Sequence, residues 1–175
     1  MSSLLSPAPS APTRLRLADL LRTTDSFADA ALSGRFDHVL PVGGLPLHDR
    51  WFRRLHTDDD LDVWLISWAA GHTTELHDHG GSLGALTVLS GALREHRWDG
   101  AGLRSRRLDA GDQAAFPLGW VHDVVSAATE HSSETTVSVH AYSPPLTAMS
   151  YYEVTSLQRL RRTRTELTDQ PEGAS

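Results

Sequence analysis

The segment LHDHGGSLGALTVLSGAL, from Leu76 to Leu93, places two histidines one residue apart just before a run of small residues and glycines. Side chains alternate between the two faces of a β-strand, so His77 and His79 point to one side and Asp78 to the other. Two imidazoles on one face can reach a single metal ion. The same pair also occurs as ordinary polar residues on exposed strands, so wider context must decide.

Composition limits the chemistry that such a site can use. The 175 residues include no cysteine and no lysine. The first absence excludes disulfides, thiolate zinc sites, iron–sulfur clusters and a cysteine nucleophile. The second excludes Schiff-base enzymes and P-loop nucleotide sites. The net charge of -6 gives no sign of a nucleic-acid partner. Any metal must therefore be bound by imidazole and carboxylate groups.

The length fits one domain, predicted over residues 14–158 between two polar ends. Residues 1–13 are rich in Ser, Pro and Ala, which predicts a disordered leader. Leucines and other apolar residues recur at helical spacing within 14–34, with a break near Thr24–Ser26. We therefore expect short N-terminal helices packed on the outside of the domain.

Residues 35–154 show short apolar or alternating runs separated by turn residues, beginning with a candidate strand at Phe36–Leu40. This texture is typical of an all-β barrel or sandwich. Residues 159–175 are predicted to form a polar tail, with a short basic helix in SLQRLRRTRTEL. No stretch approaches the roughly 18 apolar residues of a membrane helix, and no signal segment is visible, so a cytoplasmic location without a membrane partner is expected.

Glycine, proline and histidine recur at fixed spacing around the two histidines. The first set comprises Gly71, His77, His79, Gly84 and Gly91, and the second comprises Gly111, Pro117, Gly119, His122 and Ser126. Together they resemble the two signature motifs of the cupin superfamily, G(X)5HXH(X)3,4E(X)6G and G(X)5PXG(X)2H(X)3N. The resemblance implies a jelly-roll fold, a small β-barrel in which His77, His79 and His122 are the metal ligands.

Two positions depart from the cupin motifs: Gly84 stands where the glutamate ligand is usual, and Ser126 replaces the final asparagine. Without the glutamate, three neutral imidazoles leave the double positive charge of a divalent metal uncompensated. They also leave half of an octahedral coordination shell open. Such a centre favours an anionic ligand, a thiolate for example, and dioxygen chemistry. We therefore expect no carboxylate ligand at this site.

A third feature is TVSVHAYSPPL, residues 136–146, in which Ser138, His140 and Tyr142 share one strand face. Alternation alone leaves open whether this face lines a cavity or meets solvent. The Ser-His-Tyr series followed by Ser-Pro-Pro, together with the HxH motif that lacks its glutamate, resembles the thiol dioxygenases, of which cysteine dioxygenase is the principal member. The resemblance spans about Trp51 to Val154.

The resemblance implies a ferrous ion, Fe(II), that binds cysteine through sulfur and amine and O2 at the remaining position, with cysteine sulfinic acid as product. It places the Tyr142 hydroxyl near the metal-bound ligands, oriented by His140 and Ser138, and implies a cis peptide at Ser143–Pro144. The cysteine that crosslinks to this tyrosine in animal enzymes falls on Gly84, so Tyr142 would act without a thioether, as in bacterial members. Coordination to a cation removes the thiol proton, so no separate base is needed.

The cysteine carboxylate requires a cation, and RWFRRLHT offers Arg53 and Arg54. Neighbours on a strand face opposite ways, so only one can enter the cavity, and the family pattern favours Arg53. A sister branch that oxidises 3-mercaptopropionate usually has glutamine here, so an arginine favours cysteine. Two alternatives stay open: a dioxygenase for 3-mercaptopropionate or another thiol, and a non-catalytic metal-binding cupin sensor. The expected partners are the thiol and O2, and a monomer is expected rather than a dimer.

Overall fold

The computed structural model describes residues 15–129 and 135–172, so the predicted leader, residues 1–13, lies outside the described residues. The chain begins with helix α1 and a short 3-10 helix and continues in β-strands. Their bounds are α1 Leu17–Leu32, the 3-10 helix Asp37–Val39, β1 Trp51–Thr57, β2 Asp62–Trp68, β3 His77–Asp78, β4 Leu83–Ser90, β5 Ala92–Trp98, β6 Leu103–Asp109, β7 Gln113–Phe116, β8 His122–Ser126, β9 Thr136–Ser143, β10 Ala148–Val154 and β11 Leu160–Leu167.

The strands form two antiparallel sheets, one in the order β1-β2-β9-β4-β7 and the other in the order β11-β10-β3-β8-β5-β6. Apolar side chains from both sheets, including Trp64, Leu93, Phe116 and Val124, pack between them. The mostly β cupin architecture predicted from the sequence is therefore confirmed. Over the described ranges, however, the two sheets are not closed into a barrel; an isolated bridge between Ala70 and Ser126 joins the end of β2 to β8.

The N-terminal region is one continuous helix, and the predicted break near Thr24–Ser26 is wrong. The Thr24 hydroxyl donates to the carbonyl of Leu21 and accepts from Thr87, so this polar residue is satisfied inside the helix. Leu20, Thr24 and Ala28 lie on one buried stripe. That stripe packs on the outer face of the first sheet, which confirms the external position of the helix. In the part of the chain that the structure describes, no helix has the length and apolar character to cross a membrane.

Two further local predictions are wrong. Phe36–Leu40 is not a strand, because Asp37–Val39 forms a 3-10 helix there. The basic segment predicted as a helix is the edge strand β11, which pairs along its whole length with β10. The β10 edge supplies backbone hydrogen-bond partners, and the guanidinium of Arg164 packs 3.7 Å from the ring centroid of Tyr151. These tertiary contacts outweigh the helical propensity of the arginines.

Candidate metal centre and active site

Three histidines meet between the sheets. His77 on β3 is directly paired with His122 on β8, and His79 follows two residues after His77 on the same side. Their exposed fractions are 0%, 4% and 0% for His77, His79 and His122. Nε2 of His77 lies 3.3 Å from Nε2 of His79, and Nε2 of His122 is buried without a hydrogen bond among the described residues. Asp78 points away and accepts a hydrogen bond from Tyr152 at 2.6 Å, as strand alternation requires.

The other ring nitrogen of two of these histidines is fixed by an acceptor. Nδ1 of His77 lies 2.8 Å from the carbonyl oxygen of Glu75. Nδ1 of His122 lies 2.9 Å from Oε1 of Glu95. An acceptor at Nδ1 holds the proton there and leaves Nε2 free as a metal ligand, which is the usual arrangement around metal-binding imidazoles. The two rings are thus oriented toward a common centre.

Glu95 is a functional residue that the sequence analysis missed. It is 1% exposed and accepts hydrogen bonds from Nε1 of Trp120 at 3.0 Å and from Nε of Arg106 at 2.5 Å. Burial raises the pKa of Glu95, but the hydrogen bonds from His122 and Trp120 and the charge of Arg106 outweigh it and lower the pKa to about 2. Alternation along β5 places Glu95 on the same inward face as Leu93, and this pattern could have identified Glu95 from the sequence.

Burial disfavours the protonated form of His77 and His79. Burial, followed by the charge of His122, lowers the pKa of His77 to about 4. Burial also lowers the pKa of His79 well below its usual value. Neutral imidazole is the form that binds a metal. The donor set therefore fits a divalent ion that imidazole can bind, such as iron, zinc or copper.

The space beside Gly84, where the cupin motif has its glutamate, is filled by the ring of Phe116. A Cβ added to Gly84 would lie 2.9 Å from Cδ2 of Phe116 and 3.5 Å from Nδ1 of His79. The Phe116 ring is fully buried and packs against His122 with ring centroids 4.3 Å apart. No side chain at residue 84 fits without moving this ring, so strand β4 contributes no ligand.

The predicted polar face of β9 lines the space beside the histidines. Ser138, His140 and Tyr142 are all 0% exposed. Nε1 of Trp68 donates to Oγ of Ser138 at 2.8 Å, and this Oγ lies 2.9 Å from Nε2 of His140. Nδ1 of His140 in turn lies 3.2 Å from the Tyr142 hydroxyl. The rings of Tyr142 and His79 have centroids 5.2 Å apart, so the hydrogen-bonded series ends at the histidine cluster.

Comparison with known proteins identifies the family. Residues 48–155 match the family model described as cysteine dioxygenase type I. The chain belongs to the cysteine dioxygenase type I family. The cis peptide at Ser143–Pro144 that this resemblance implied is present in the structure.

Several solved structures are similar to this cysteine dioxygenase family member. KdgF from a Halomonas species is 20% identical, covering 54% of this chain and 80% of its own, with a TM-score of 0.46. A double-stranded β-helix protein from Klebsiella pneumoniae is 18% identical over 73% of this chain and 93% of its own, with a TM-score of 0.49. A cupin superfamily protein from Desulfitobacterium hafniense is 14% identical over 55% and 79%, with a TM-score of 0.46.

The expectation of a centre without a carboxylate is wrong for this structure. Glu172 is fully buried, and its carboxylate joins the three histidines in a group whose potential ligand atoms all lie within 4.8 Å of one another. The residue follows β11, outside the match to the cysteine dioxygenase family. It escaped prediction because it stands in a polar tail with no motif, and only the tertiary path of the chain brings it here. Family membership and this cluster together indicate a metal-dependent oxidoreductase.

The Glu172 carboxylate contacts the polar face of β9 as well as the histidines. The Tyr142 hydroxyl donates to Oε2, Oε1 lies 2.9 Å from Nδ1 of His140, and Nε2 of His79 is 4.0 Å from Oε2. Burial raises the pKa of Glu172, but the electrostatic interaction and hydrogen bond with His140, followed by the interactions with His79 and His77, lower it well below its usual value. The structure thus places the Glu172 carboxylate between Tyr142 and the histidine cluster.

Neither arginine considered from the sequence reaches this carboxylate. Arg53, which the family pattern favoured, is exposed and shares its strand face with Trp51 and Leu55, toward helix α1. Arg54 is on the inner side, where its guanidinium lies 4.5 Å from the ring centroid of Trp64. Nη2 of Arg54 is bound to Asp169, to the carbonyl oxygen at 2.8 Å and to Oδ2 at 3.3 Å.

Arg50, just before β1, is a buried arginine that interacts electrostatically with Glu172. Its guanidinium lies 4.4 Å from the ring centroid of Trp68. Nε and Nη2 are buried and make no hydrogen bond among the described residues. Burial lowers the pKa of Arg50 to about 10, against the opposing charges of Glu172 and Tyr151, so the group stays cationic at neutral pH. Strand alternation places residue 50 on the face of Arg54, and this was the signal that could have found it.

Proposed function

We propose that the protein is an iron(II)-dependent thiol dioxygenase that oxidises L-cysteine with O2 to cysteine sulfinic acid. The observation that carries the proposal is the joint geometry of two features on facing sheets. Three buried histidines converge on one point, and the Ser138–His140–Tyr142 series ends beside them. Membership of the cysteine dioxygenase type I family supports this reading.

The donor set supports a ferrous ion at the histidine cluster, and the residues that would bind it are His77, His79 and His122. When bound, iron supplies a cation that takes up the substrate sulfur as thiolate and a site at which O2 can react. The protein then needs no general base for the thiol. What the chain itself provides is orientation, neutral ligands and a buried setting in which polar contacts are strong.

Tyr142 is proposed to bind the substrate beside the metal, with its hydroxyl direction set by its neighbours. Indole N–H is only a donor, so Ser138 accepts from Trp68 and keeps its own proton for Nε2 of His140. A neutral His140 then carries its proton on Nδ1, the nitrogen next to the Tyr142 oxygen. This direction lets Tyr142 donate its proton into the site, where Oε2 of Glu172 accepts it in the structure.

Arg50 is proposed to bind the substrate carboxylate, in place of Arg53 and Arg54. It combines a buried cation with two unpaired N–H groups, and it already lies in the field of the Glu172 carboxylate. A guanidinium donates two parallel hydrogen bonds to a carboxylate, the geometry preferred for this kind of recognition. Cysteine and 3-mercaptopropionate both carry this group, whereas cysteamine does not.

The test is a reconstitution with Fe(II) under anaerobic conditions, followed by O2 uptake and sulfinate detection with cysteine, 3-mercaptopropionate and cysteamine. We expect one O2 consumed per sulfinate formed, with cysteine the best substrate and cysteamine poor. The variant His122→Ala should retain no iron and show no uptake. If 3-mercaptopropionate is the better substrate, the chain belongs with the sister activity. An iron-loaded protein inert to all three thiols would support the sensor alternative.

A further inference from the structure

Residues 168–172, here called the C-terminal strap, leave the second sheet and run across to the histidine cluster. After β11 ends at Leu167, the Thr168 amide donates to the carbonyl of Thr147 at 3.1 Å. The rest of the strap makes no strand pairing among the described residues. It ends, as far as the structure describes it, with Pro171 and Glu172 buried against the site.

The strap is attached at two points of unequal character. The outer attachment joins Arg54 to Asp169, whose side chains are 33% and 76% exposed. Pairs of this kind in contact with water contribute little, about 0–1 kcal/mol. The inner attachment is the fully buried Glu172 carboxylate, bound by Tyr142 and adjacent to His140 and His79. Detaching the end of the strap therefore requires replacing the contacts of the Glu172 carboxylate, releasing the hydrogen bond from Arg54 to the Asp169 carbonyl and exposing Pro171.

The groups that surround Glu172 are the same ones that the proposed function assigns to the substrate. Tyr142 donates a hydrogen bond to the Glu172 carboxylate, and the charge of this carboxylate acts on Arg50. The potential ligand atoms of Glu172 and the three histidines all lie within 4.8 Å of one another. An anionic thiol cannot use the Tyr142 hydroxyl while Glu172 accepts its hydrogen bond, although the Nε and Nη2 groups of Arg50 stay unpaired. A thiol that also carries a carboxylate can offer Tyr142 and Arg50 an equivalent anion, so it can take over the contacts that Glu172 gives up.

We propose that the C-terminal strap is a built-in competitor: Glu172 occupies the substrate's anion position, and a carboxylate-bearing thiol displaces it to open the site. The inference rests on the proposed function for the identity of the displacing ligand. It predicts a resting state with a three-histidine and one-glutamate cluster and a ligand-bound state in which the strap is released. A ligand that binds only the open state has its apparent affinity reduced by the fraction of open molecules.

The test measures thiol binding without turnover. Wild type, Glu172→Gln and Glu166→Gln are loaded with Co(II) under anaerobic conditions and titrated with 3-mercaptopropionate, following the thiolate–cobalt absorption. We expect Glu172→Gln to bind the thiol about tenfold more tightly, which corresponds to a strap closed about nine-tenths of the time. Glu166 is an exposed carboxylate of β11 paired with Arg164, so its variant should bind as wild type does. Equal or weaker binding by Glu172→Gln overturns the proposal.

A second measurement uses the unaltered protein and so does not depend on any variant folding. Hydrogen exchange of the strap amides is compared in the Co(II) protein with and without saturating 3-mercaptopropionate. Displacement predicts faster exchange at residues 168–172 on ligand binding, while the amides of β10 and β11 stay unchanged. Unchanged or slower exchange in the strap overturns the proposal. Failure of O2 uptake in every protein would instead disprove the dioxygenase activity, which these binding measurements do not use.

Discussion

The two sides of the site are built in opposite ways. On the histidine side, His77 and His122 come from neighbouring strands of one sheet, and nearby acceptors fix both rings. His79 directly follows the strand of His77. On the anion side, Arg50 precedes the first strand and Glu172 follows the last one. The histidine side is therefore rigid and readable from local spacing. The anion side depends on distant parts of the chain and includes the C-terminal strap, which we propose a substrate can displace from the site.

If hydrogen bonds to the histidine rings make the histidine side rigid, removing the hydrogen bond to one ring should lower the metal affinity strongly. Glu95→Gln removes the buried charge that orients His122 while keeping a similar shape. We expect metal affinity to fall by about 10–100-fold, the usual effect of losing such a supporting carboxylate. Calorimetric titration with Co(II) measures it, and Glu153→Gln is the matched control, since Glu153 is 45% exposed and pairs with Arg161. Unchanged affinity would mean that the strand alone sets the ring position.

On the anion side, the sharpest distinction is between Arg50 and Arg53, which lie on either side of the Trp51–Phe52 pair. Arg50→Gln should raise the KM for cysteine by about 10–30-fold, because a hydrogen bond to a charged group contributes about 1.5–2 kcal/mol at the low end of its usual range. The KM for cysteamine should stay unchanged, since it has no carboxylate. Arg53→Gln is the control and should alter neither value, because Arg53 is exposed on the outer face. An equal effect of both variants on cysteine would place carboxylate recognition elsewhere.

The same contrast explains what could be predicted from the sequence. The histidine ligands and the Ser138–His140–Tyr142 face follow from alternation along a strand and from motif spacing, both local properties. The choice among arginines depends on the face that β1 presents to the core, which the letters RWFRRLHT do not specify. Glu172 depends on β11 pairing with β10 and on the path of the chain after it. No local pattern encodes such a path, so the sequence predicts only a polar tail with a short helix for this segment.

The smallest effect is expected where the two sides meet, at Gly84, the position without a ligand. Gly84→Ala would place Cβ 2.9 Å from the Phe116 ring, which is buried between His79 and His122. Overpacking of a core usually costs about 1–3 kcal/mol, and the low end is expected because only a ring edge must move. Denaturant unfolding of the metal-free protein measures the loss. Gly81→Ala is the control, because an added Cβ there meets nothing within 4 Å. Equal stability of the two variants would show that Phe116 yields easily, and that residue 84 is free to accept a side chain after all.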